Sequence, residues 1–223
     1  MRSTILNWLV EVHRHFDLSD ESIALTVDLL DRFRDATPVS MKPSKLQLVG
    51  CACLWISSKY EDVNPPTSHQ LSTIASNSFT VKDLVEVEAF VLNTVHFKLV
   101  VNLPVHFANR CFHLMAPEAV WMTKYLLELE MQSGLRTGAD PEEIAVATIL
   151  LSVFAVHGER PDFASGELGQ RLLSGNLFPG VSALELHRKT LEVLNSAFHA
   201  VPTASATVKR YSPLSDLGRL EGW

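Results

Sequence analysis

The chain has 223 residues, enough for one or two domains, and its 47% hydrophobic and 20% charged residues exclude an intrinsically disordered protein. Its 19 Lys and Arg residues against 25 Asp and Glu residues give a net charge of −6, so it lacks the overall basic character of a nucleic-acid-binding protein. The three cysteines exclude a disulfide-rich scaffold and favour a reducing, intracellular compartment.

Helical periodicity dominates the chain, and no convincing alternating strand pattern occurs in it. Ser19 or Asp20 is the expected N-cap of a second helix, Ser44 of a third and Thr80 of a fifth, because short polar side chains accept hydrogen bonds from the first turn of a helix. The five predicted helices cover residues 3–16, 20–33, 44–60, 68–75 and 81–95.

The same order of elements then begins again, with Asp140-Pro141-Glu142-Glu143 as its strongest helix-start signal. The helices predicted for this half cover residues 104–115, 117–131, 141–157, 165–173 and 182–199. The predicted fold is therefore all-α, with two tandem five-helix bundles. They cover residues 1–97 and 104–200, with a linker over 98–103 and a tail over 201–223.

Each half contains one helix that is apolar on nearly every side, over residues 46–56 and 144–154. A helix of this kind that is too short to cross a bilayer is typical of the buried centre of a bundle. We therefore expect both segments to be the central helices of their bundles.

Catalytic and metal-binding motifs are absent from the sequence, which contains no Gly-rich phosphate loop, no His-Glu-x-x-His and no Cys-x-x-Cys. Cys51 and Cys53 are two residues apart on a predicted helix, so their side chains diverge and a core role is favoured over a metal role. His13 and His15 fail as helical metal ligands for the same reason. We predict no catalytic residue, no metal site and no cofactor.

Apolar residues of the first helix span an arc of about 200°, whereas a helix with one buried face needs an arc nearer 100°. Either the chain itself buries both sides, or one edge is left for a partner. Met1, Ile5, Trp8 and Val12 form the edge that is the candidate partner groove.

Glu88 lies inside the apolar arc of the fifth helix. A carboxylate in such a place must be paired within the chain or must face something outside it. Lys59, which ends the otherwise apolar third helix, is the obvious internal counterpart, although a lysine is also favoured there by the helix dipole.

At these residues the chain resembles the cyclins, in particular the mitotic B-type group. The similarity spans nearly the whole chain and is most specific over residues 1–107. The segments that carry it are 1–12, 31–33, 45–50, 58–62 and 103–107, with looser matches over 124–129 and 208–211. It implies that the two bundles are tandem cyclin boxes.

The resemblance implies a non-catalytic subunit that binds and activates a cyclin-dependent protein kinase by positioning the C-helix of that kinase. Lys59 and Glu88 would be paired charges that hydrogen-bond the kinase near this helix. The apolar positions that would receive it are Ile56, Tyr60, Leu92, Phe97 and Leu99.

A second site implied by the resemblance is a docking groove for substrates or inhibitors that carry an Arg-x-Leu motif. Its apolar part would hold the leucine, and Glu11 would attract the arginine. The matching positions are Met1, Ile5, Trp8, Glu11, Val12, Leu46 and Gln47. Thr4 stands where the family usually has a large aliphatic residue, which predicts a shallower or more polar groove.

The implied role is control of G2 and mitosis in the nucleus and cytoplasm, without nucleic acid or membrane as partner. The alternative is a cyclin-fold module, similar to a transcription factor, that binds nucleic acid or transcription machinery. The net charge of −6 and the scarcity of Lys and Arg clusters argue against this alternative.

Overall fold

A computed structural model describes residues 1–37, 41–134, 140–157, 206–207 and 211, except for the side chains of residues 154 and 157. Over these residues the secondary structure is helical and contains no β-strand, so the all-α prediction is confirmed. The chain divides into two compact units, Met1–Val101 and Asn102–Trp223. The boundary between them falls inside the segment predicted as a linker.

The first unit contains the five helices predicted for it, and most of their bounds lie within two residues of the expected ones. They are α1 (Arg2–His15), α2 (Asp20–Ala36), α3 (Pro43–Glu61), α4 (Ser68–Ile74) and α5 (Val81–Thr94). The expectation that Ser44 caps α3 is wrong, because Pro43 occupies the first turn and Lys42 is the N-cap. Proline fits that position since the first N–H groups of a helix have no intrahelical partner.

The N-terminus of α2 is joined to the C-terminal end of α3 by hydrogen bonds. Ser19 is the N-cap of α2, and its hydroxyl accepts the backbone N–H of Ser22 at 3.3 Å. Asp62, the C-cap of α3, accepts the backbone N–H of Ser19 at 2.8 Å and also the hydroxyl of Ser22. One carboxylate therefore satisfies donors of α2 while it ends α3.

A capping box starts α5. The hydroxyl of Thr80 accepts the backbone N–H of Asp83 at 3.1 Å, and the Asp83 carboxylate accepts the backbone N–H of Thr80 at 2.8 Å. The hydrogen bonds from the side chain and backbone of Thr80 lower the pKa of the Asp83 carboxyl. The start of α5, which carries Glu88 two turns further on, is thus fixed by local bonds.

The centre of the first unit is α3, as its all-round apolarity predicts, and α1, α2 and α5 pack against it. Cys51 and Cys53 are fully buried among these helices. Burial raises the pKa of the Cys51 thiol to about 12 and also raises that of Cys53, so both thiols remain protonated in the folded chain.

Gly50 lets α1 approach α3 closely. A Cβ atom at this position would lie 3.2 Å from Ile5 Cγ1 and 3.2 Å from Leu9 Cδ1, both of which belong to buried side chains of α1. The two helices therefore pack together through a contact that leaves little room for a larger residue.

The described part of the second unit contains three α-helices and a 3-10 helix. They are α6 (Pro104–Asn109), the 3-10 helix (Phe112–Leu114), α7 (Pro117–Ser133) and α8 (Pro141–His157). α6 and α7 both pack against α8. The helices predicted over residues 165–173 and 182–199 lie outside the described residues. No described helix is long and apolar enough to cross a membrane.

The prediction of one helix over residues 104–115 is wrong, because α6 ends at Asn109 and a separate 3-10 helix follows. Phe107 and Phe112 both pack against the core of this unit. Five residues apart on one continuous helix, they would point about 140° away from each other. The break in the helix lets both aromatic rings reach the core.

The second predicted central helix is also buried. In α8 the side chains of Ala145, Ala147 and Ile149 have no exposed surface.

A polar contact joins α7 to a later part of the chain. The Thr207 hydroxyl donates a hydrogen bond to the Glu128 carboxylate and accepts one from the side-chain amide of Gln132.

Candidate functional site

Lys59 and Glu88 form an ion pair between α3 and α5. The Lys59 Nζ atom donates to Glu88 Oε1, and the two side chains are 37% and 16% exposed. Lys59 lies in the last turn of α3, where its charge also offsets the helix dipole. The internal partner that the position of Glu88 requires is therefore present within the first unit itself.

Trp55 is a third member of this site, and the sequence analysis missed it. Lys59 Nζ lies 3.7 Å from the centroid of the Trp55 ring, a short cation–π distance. The indole N–H donates to the backbone carbonyl of Pro66 at 3.0 Å. The spacing of four residues between Trp55 and Lys59 on a helix was the signal available in the sequence.

Glu88 lies at the border between a buried and an exposed apolar face of α5. With Leu84 set at zero on a helical wheel, the buried Val91 lies at about −20° and Glu88 at about 40°. The exposed Val81 and Val85 lie at about 60° and 100°. Glu88 thus borders an apolar surface that the described residues leave open to solvent.

The apolar positions expected to receive a partner are placed differently from one another. Tyr60 is exposed, and Phe97 is the most accessible of the set at 62%. Leu92 and Leu99 are half-buried. Ile56 is only 3% exposed, so its side chain belongs to the core of the unit and is not open to a partner.

The residues after α5 hold the Phe97 ring outward. His96 and Phe97 have φ angles of 54° and 55°, in the left-handed region that residues other than glycine rarely adopt. The backbone N–H of Phe97 donates to the carbonyl of Leu92 at 2.8 Å, which closes the end of the helix. Ser76 and Asn77, which follow α4, have φ angles of 55° and 53°, so this conformation is a way in which helices of the first unit end.

The predicted docking groove has an exposed rim and a buried floor. Met1 is 67% exposed, Glu11 is exposed, and Trp8 is half-buried. The half-buried Gln47 accepts the Ser78 hydroxyl at 3.4 Å. The buried members of the predicted set are Ile5, Val12 and Leu46. The chain therefore buries most of the apolar arc of the first helix itself, and leaves Met1 exposed and Trp8 and Phe16 half-buried.

A bidentate ion pair fixes the start of α1 beside this rim. Arg2 Nε and Nη2 donate to the two carboxylate oxygens of Asp31 on α2, at 3.0 Å and 2.7 Å. Because the guanidinium fork matches the carboxylate, the first turn of α1 has a defined orientation. Met1 is thereby held next to an anchored residue.

In the described part of the chain, no group of three His, Cys, Asp or Glu side chains is placed to hold a metal ion. What the first unit presents is a partly buried charge pair, an aromatic ring against it and exposed apolar side chains. This combination is typical of a surface that binds another protein.

Comparison with known proteins places this geometry in context. Residues 1–100 match the family model "Cyclin, N-terminal domain". G2/mitotic-specific cyclin-B2 from Oryzias luzonensis is 37% identical over 160 residues, which cover 71% of this chain and 41% of that protein. G2/mitotic-specific cyclin-B from Marthasterias glacialis is 33% identical over 216 residues, which cover 95% of this chain and 53% of that protein. The chain thus spans about half the length of the curated relatives it matches.

Solved structures share the fold. A viral cyclin from herpesvirus saimiri aligns with a TM-score of 0.69 at 21% identity, covering 94% of this chain and 86% of the viral protein. A chain of the CAK complex from Chaetomium thermophilum aligns with a TM-score of 0.58 at 16% identity, covering 99% of this chain and 67% of the other.

Proposed function

The chain belongs to the cyclin family, and from this premise we propose that it is a regulatory subunit that binds and activates a cyclin-dependent protein kinase. It has no catalytic role of its own. The names of its relatives support action in G2 and mitosis, and we extend the proposal to the nucleus and cytoplasm.

The observation that carries this proposal is the Lys59–Glu88 pair at the edge of the exposed apolar face of α5. Lys59 has three N–H donors and Glu88 has two acceptor oxygens, so both retain hydrogen-bonding capacity after they pair with each other. The neighbouring Val85 and Phe97 provide exposed apolar contacts. A helix with an apolar face and free polar groups at its end fits such a surface.

The mechanism follows from what such a contact does to a kinase. When the C-helix of the kinase packs on the apolar surface, it moves toward the kinase active site. The Lys–Glu ion pair inside the kinase can then form, which is a requirement for phosphoryl transfer. Here the Lys59–Glu88 pair would fix the end of that helix by hydrogen bonds.

The test combines the purified chain with a purified, monomeric mitotic cyclin-dependent kinase and a Ser-Pro peptide substrate. We expect a stable complex and a strong increase in peptide phosphorylation over the kinase alone. The proposal would be contradicted if the two proteins, each at micromolar concentration, formed no complex and the kinase were not activated.

We further propose that the rim of Met1, Trp8 and Glu11 docks Arg-x-Leu peptides. Support comes from the exposure of Met1 and Glu11 and from the apolar floor beneath them. The Trp8 ring would cover the leucine, and the Glu11 carboxylate would pair with the arginine.

The Trp8→Ala substitution should weaken binding of a fluorescent Arg-x-Leu peptide at least about tenfold, because buried tryptophans dominate interface energies. Fluorescence anisotropy measures this. Kinase affinity should stay unchanged, and Trp121→Ala, which removes an exposed tryptophan from α7, serves as the matched control. Equal peptide affinity in the parent chain and the Trp8 variant would remove the site.

A further inference from the structure

Trp55 connects two parts of the site through opposite ends of its side chain. The face of the ring lies against the Lys59 ammonium, with Nζ 3.7 Å from the ring centroid. The indole N–H is held by the backbone carbonyl of Pro66 at 3.0 Å, and Pro66 is itself buried. The ring is thus anchored independently of Lys59.

An ion pair alone would leave Lys59 less ordered. A lysine side chain has four rotatable bonds, and a partly exposed salt bridge offsets little of the entropy lost on fixing them. The aromatic face adds a second attractive contact from another direction. Together, the Trp55 ring and the Glu88 carboxylate restrict the ammonium group to one place.

We propose that Trp55 is a positioning residue of the kinase-binding surface, which holds the Lys59 ammonium in its binding position before the kinase arrives. This inference rests on the proposed function, since it assigns Trp55 a role through Lys59. Trp55 need not touch the kinase itself.

The two contacts of Trp55 can be separated by substitution. Trp55→Phe keeps an aromatic face under Lys59 but removes the hydrogen bond to Pro66. Trp55→Leu removes both contacts. If Trp55 acts through its ring, the Phe variant should retain most of the kinase affinity and the Leu variant should not.

The decisive experiment measures kinase affinity for the Trp55 variants in the parent chain and in a Lys59→Met background. The Trp55→Leu substitution should weaken binding about two- to fivefold in the parent, the size of an exposed cation–π contact. In the Lys59→Met background it should have no further effect. Trp121→Leu is the matched control. The melting temperature of every variant should lie well above the assay temperature, so that all variants are folded when affinity is measured.

A direct readout needs no kinase. In the free parent chain, NMR signals of the Lys59 side-chain methylene protons should be shifted upfield by the indole ring current, and Trp55→Leu should abolish the shift. Unshifted Lys59 signals would overturn the proposal.

The outcomes distinguish this inference from the proposed function. An equal loss on Trp55→Leu in both backgrounds would mean that Trp55 supports the fold generally, and would overturn the positioning role alone. The positioning role alone would also be overturned if Trp55→Leu bound the kinase as tightly as the parent chain while Lys59→Met bound it more weakly. If the Lys59→Met variant bound the kinase as tightly as the parent chain does, the proposed kinase-binding site itself would be contradicted.

Discussion

At Glu88 a carboxylate that is mostly withdrawn from water has the Lys59 ammonium as its charged partner. Two roles are compatible with this arrangement. A structural role makes the pair a link between α3 and α5, whereas a binding role makes it a polar anchor for a partner. If the role is structural, removing the charge should lower the free energy of unfolding of the isolated chain. If the role is binding, it should lower the affinity for the kinase.

We predict that Glu88→Gln leaves the isolated chain within about 1 kcal/mol of its parent stability, because partly exposed ion pairs contribute little. Kinase affinity should fall by about 2–5 kcal/mol, since a buried charge would be left unpaired in the complex. Thermal melts and kinase titrations measure the two quantities.

The matched control is Glu86→Gln on the same helix. Glu86 is 64% exposed and pairs with Lys82 across one helical turn, so its loss should affect neither quantity. Lys59→Met should behave as Glu88→Gln does, and the double variant should lose less than the sum of both. Undiminished kinase binding by Glu88→Gln would show that the pair is structural.

The sequence predicted part of this site for physical reasons. The position of Glu88 on an apolar face required a partner inside or outside the chain, and Lys59, which ends the apolar third helix, was the obvious internal counterpart. Which side of α3 faces solvent was not predictable, because a helix that is apolar all round carries no such signal. Ile56 was included among the partner-binding positions because the resemblance implied it, and the structure buries its side chain.

At the scale of elements, the contact between α1 and α3 depends on the small size of Gly50. We predict that Gly50→Val lowers the stability of the chain by about 1–3 kcal/mol, because the added methyl groups would meet Ile5 and Leu9 in a packed core. Denaturant unfolding measures this. The matched control is Ala36→Val at the exposed end of α2, which should change stability by less than about 1 kcal/mol.

The Gly50→Val substitution should also weaken Arg-x-Leu docking, because Ile5 lies in the floor of the predicted groove. Stability equal to that of the parent would show that α1 can move away from α3 without cost.

Two of the three predicted helix caps are confirmed. Thr80 and Ser19, the latter one of two candidates with Asp20, form the expected hydrogen bonds, because capping depends mainly on residues within one turn. Ser44 does not cap α3, because Pro43 already occupies the first turn of that helix. The break after Asn109 was not predictable. It depends on which core the rings of Phe107 and Phe112 reach, and this is a property of the tertiary structure.

At the scale of the whole molecule, the three cysteines report on the two units separately. Cys51 and Cys53 lie in the first unit and Cys111 in the second, and all three are buried. Burial raises the pKa of Cys51 to about 12 and that of Cys111 to about 11. At pH 8 the reactive thiolate is therefore scarce at each of them.

We predict that iodoacetamide at pH 8 modifies these cysteines only when their unit opens. Cys51 and Cys53 should lose protection at the same denaturant concentration, because they share one turn of α3, while Cys111 follows the stability of its own unit. Mass spectrometry of peptides measures each site. The fully denatured chain is the control, in which all three should react at similar rates. Rapid native modification of Cys51 would contradict the buried position of α3.

The Trp55–Lys59–Glu88 contacts have a thermodynamic consequence for association. On the proposal that Trp55 and Glu88 order the lysine in the free chain, the loss of its rotamer freedom would occur during folding and not on association with a kinase. Association then joins surfaces that are largely preorganised. Its heat-capacity change should be negative and set mainly by the apolar area that the two proteins bury. On this proposal, the surface has less side-chain flexibility in the free chain, and its binding geometry is present in every folded molecule before a partner associates.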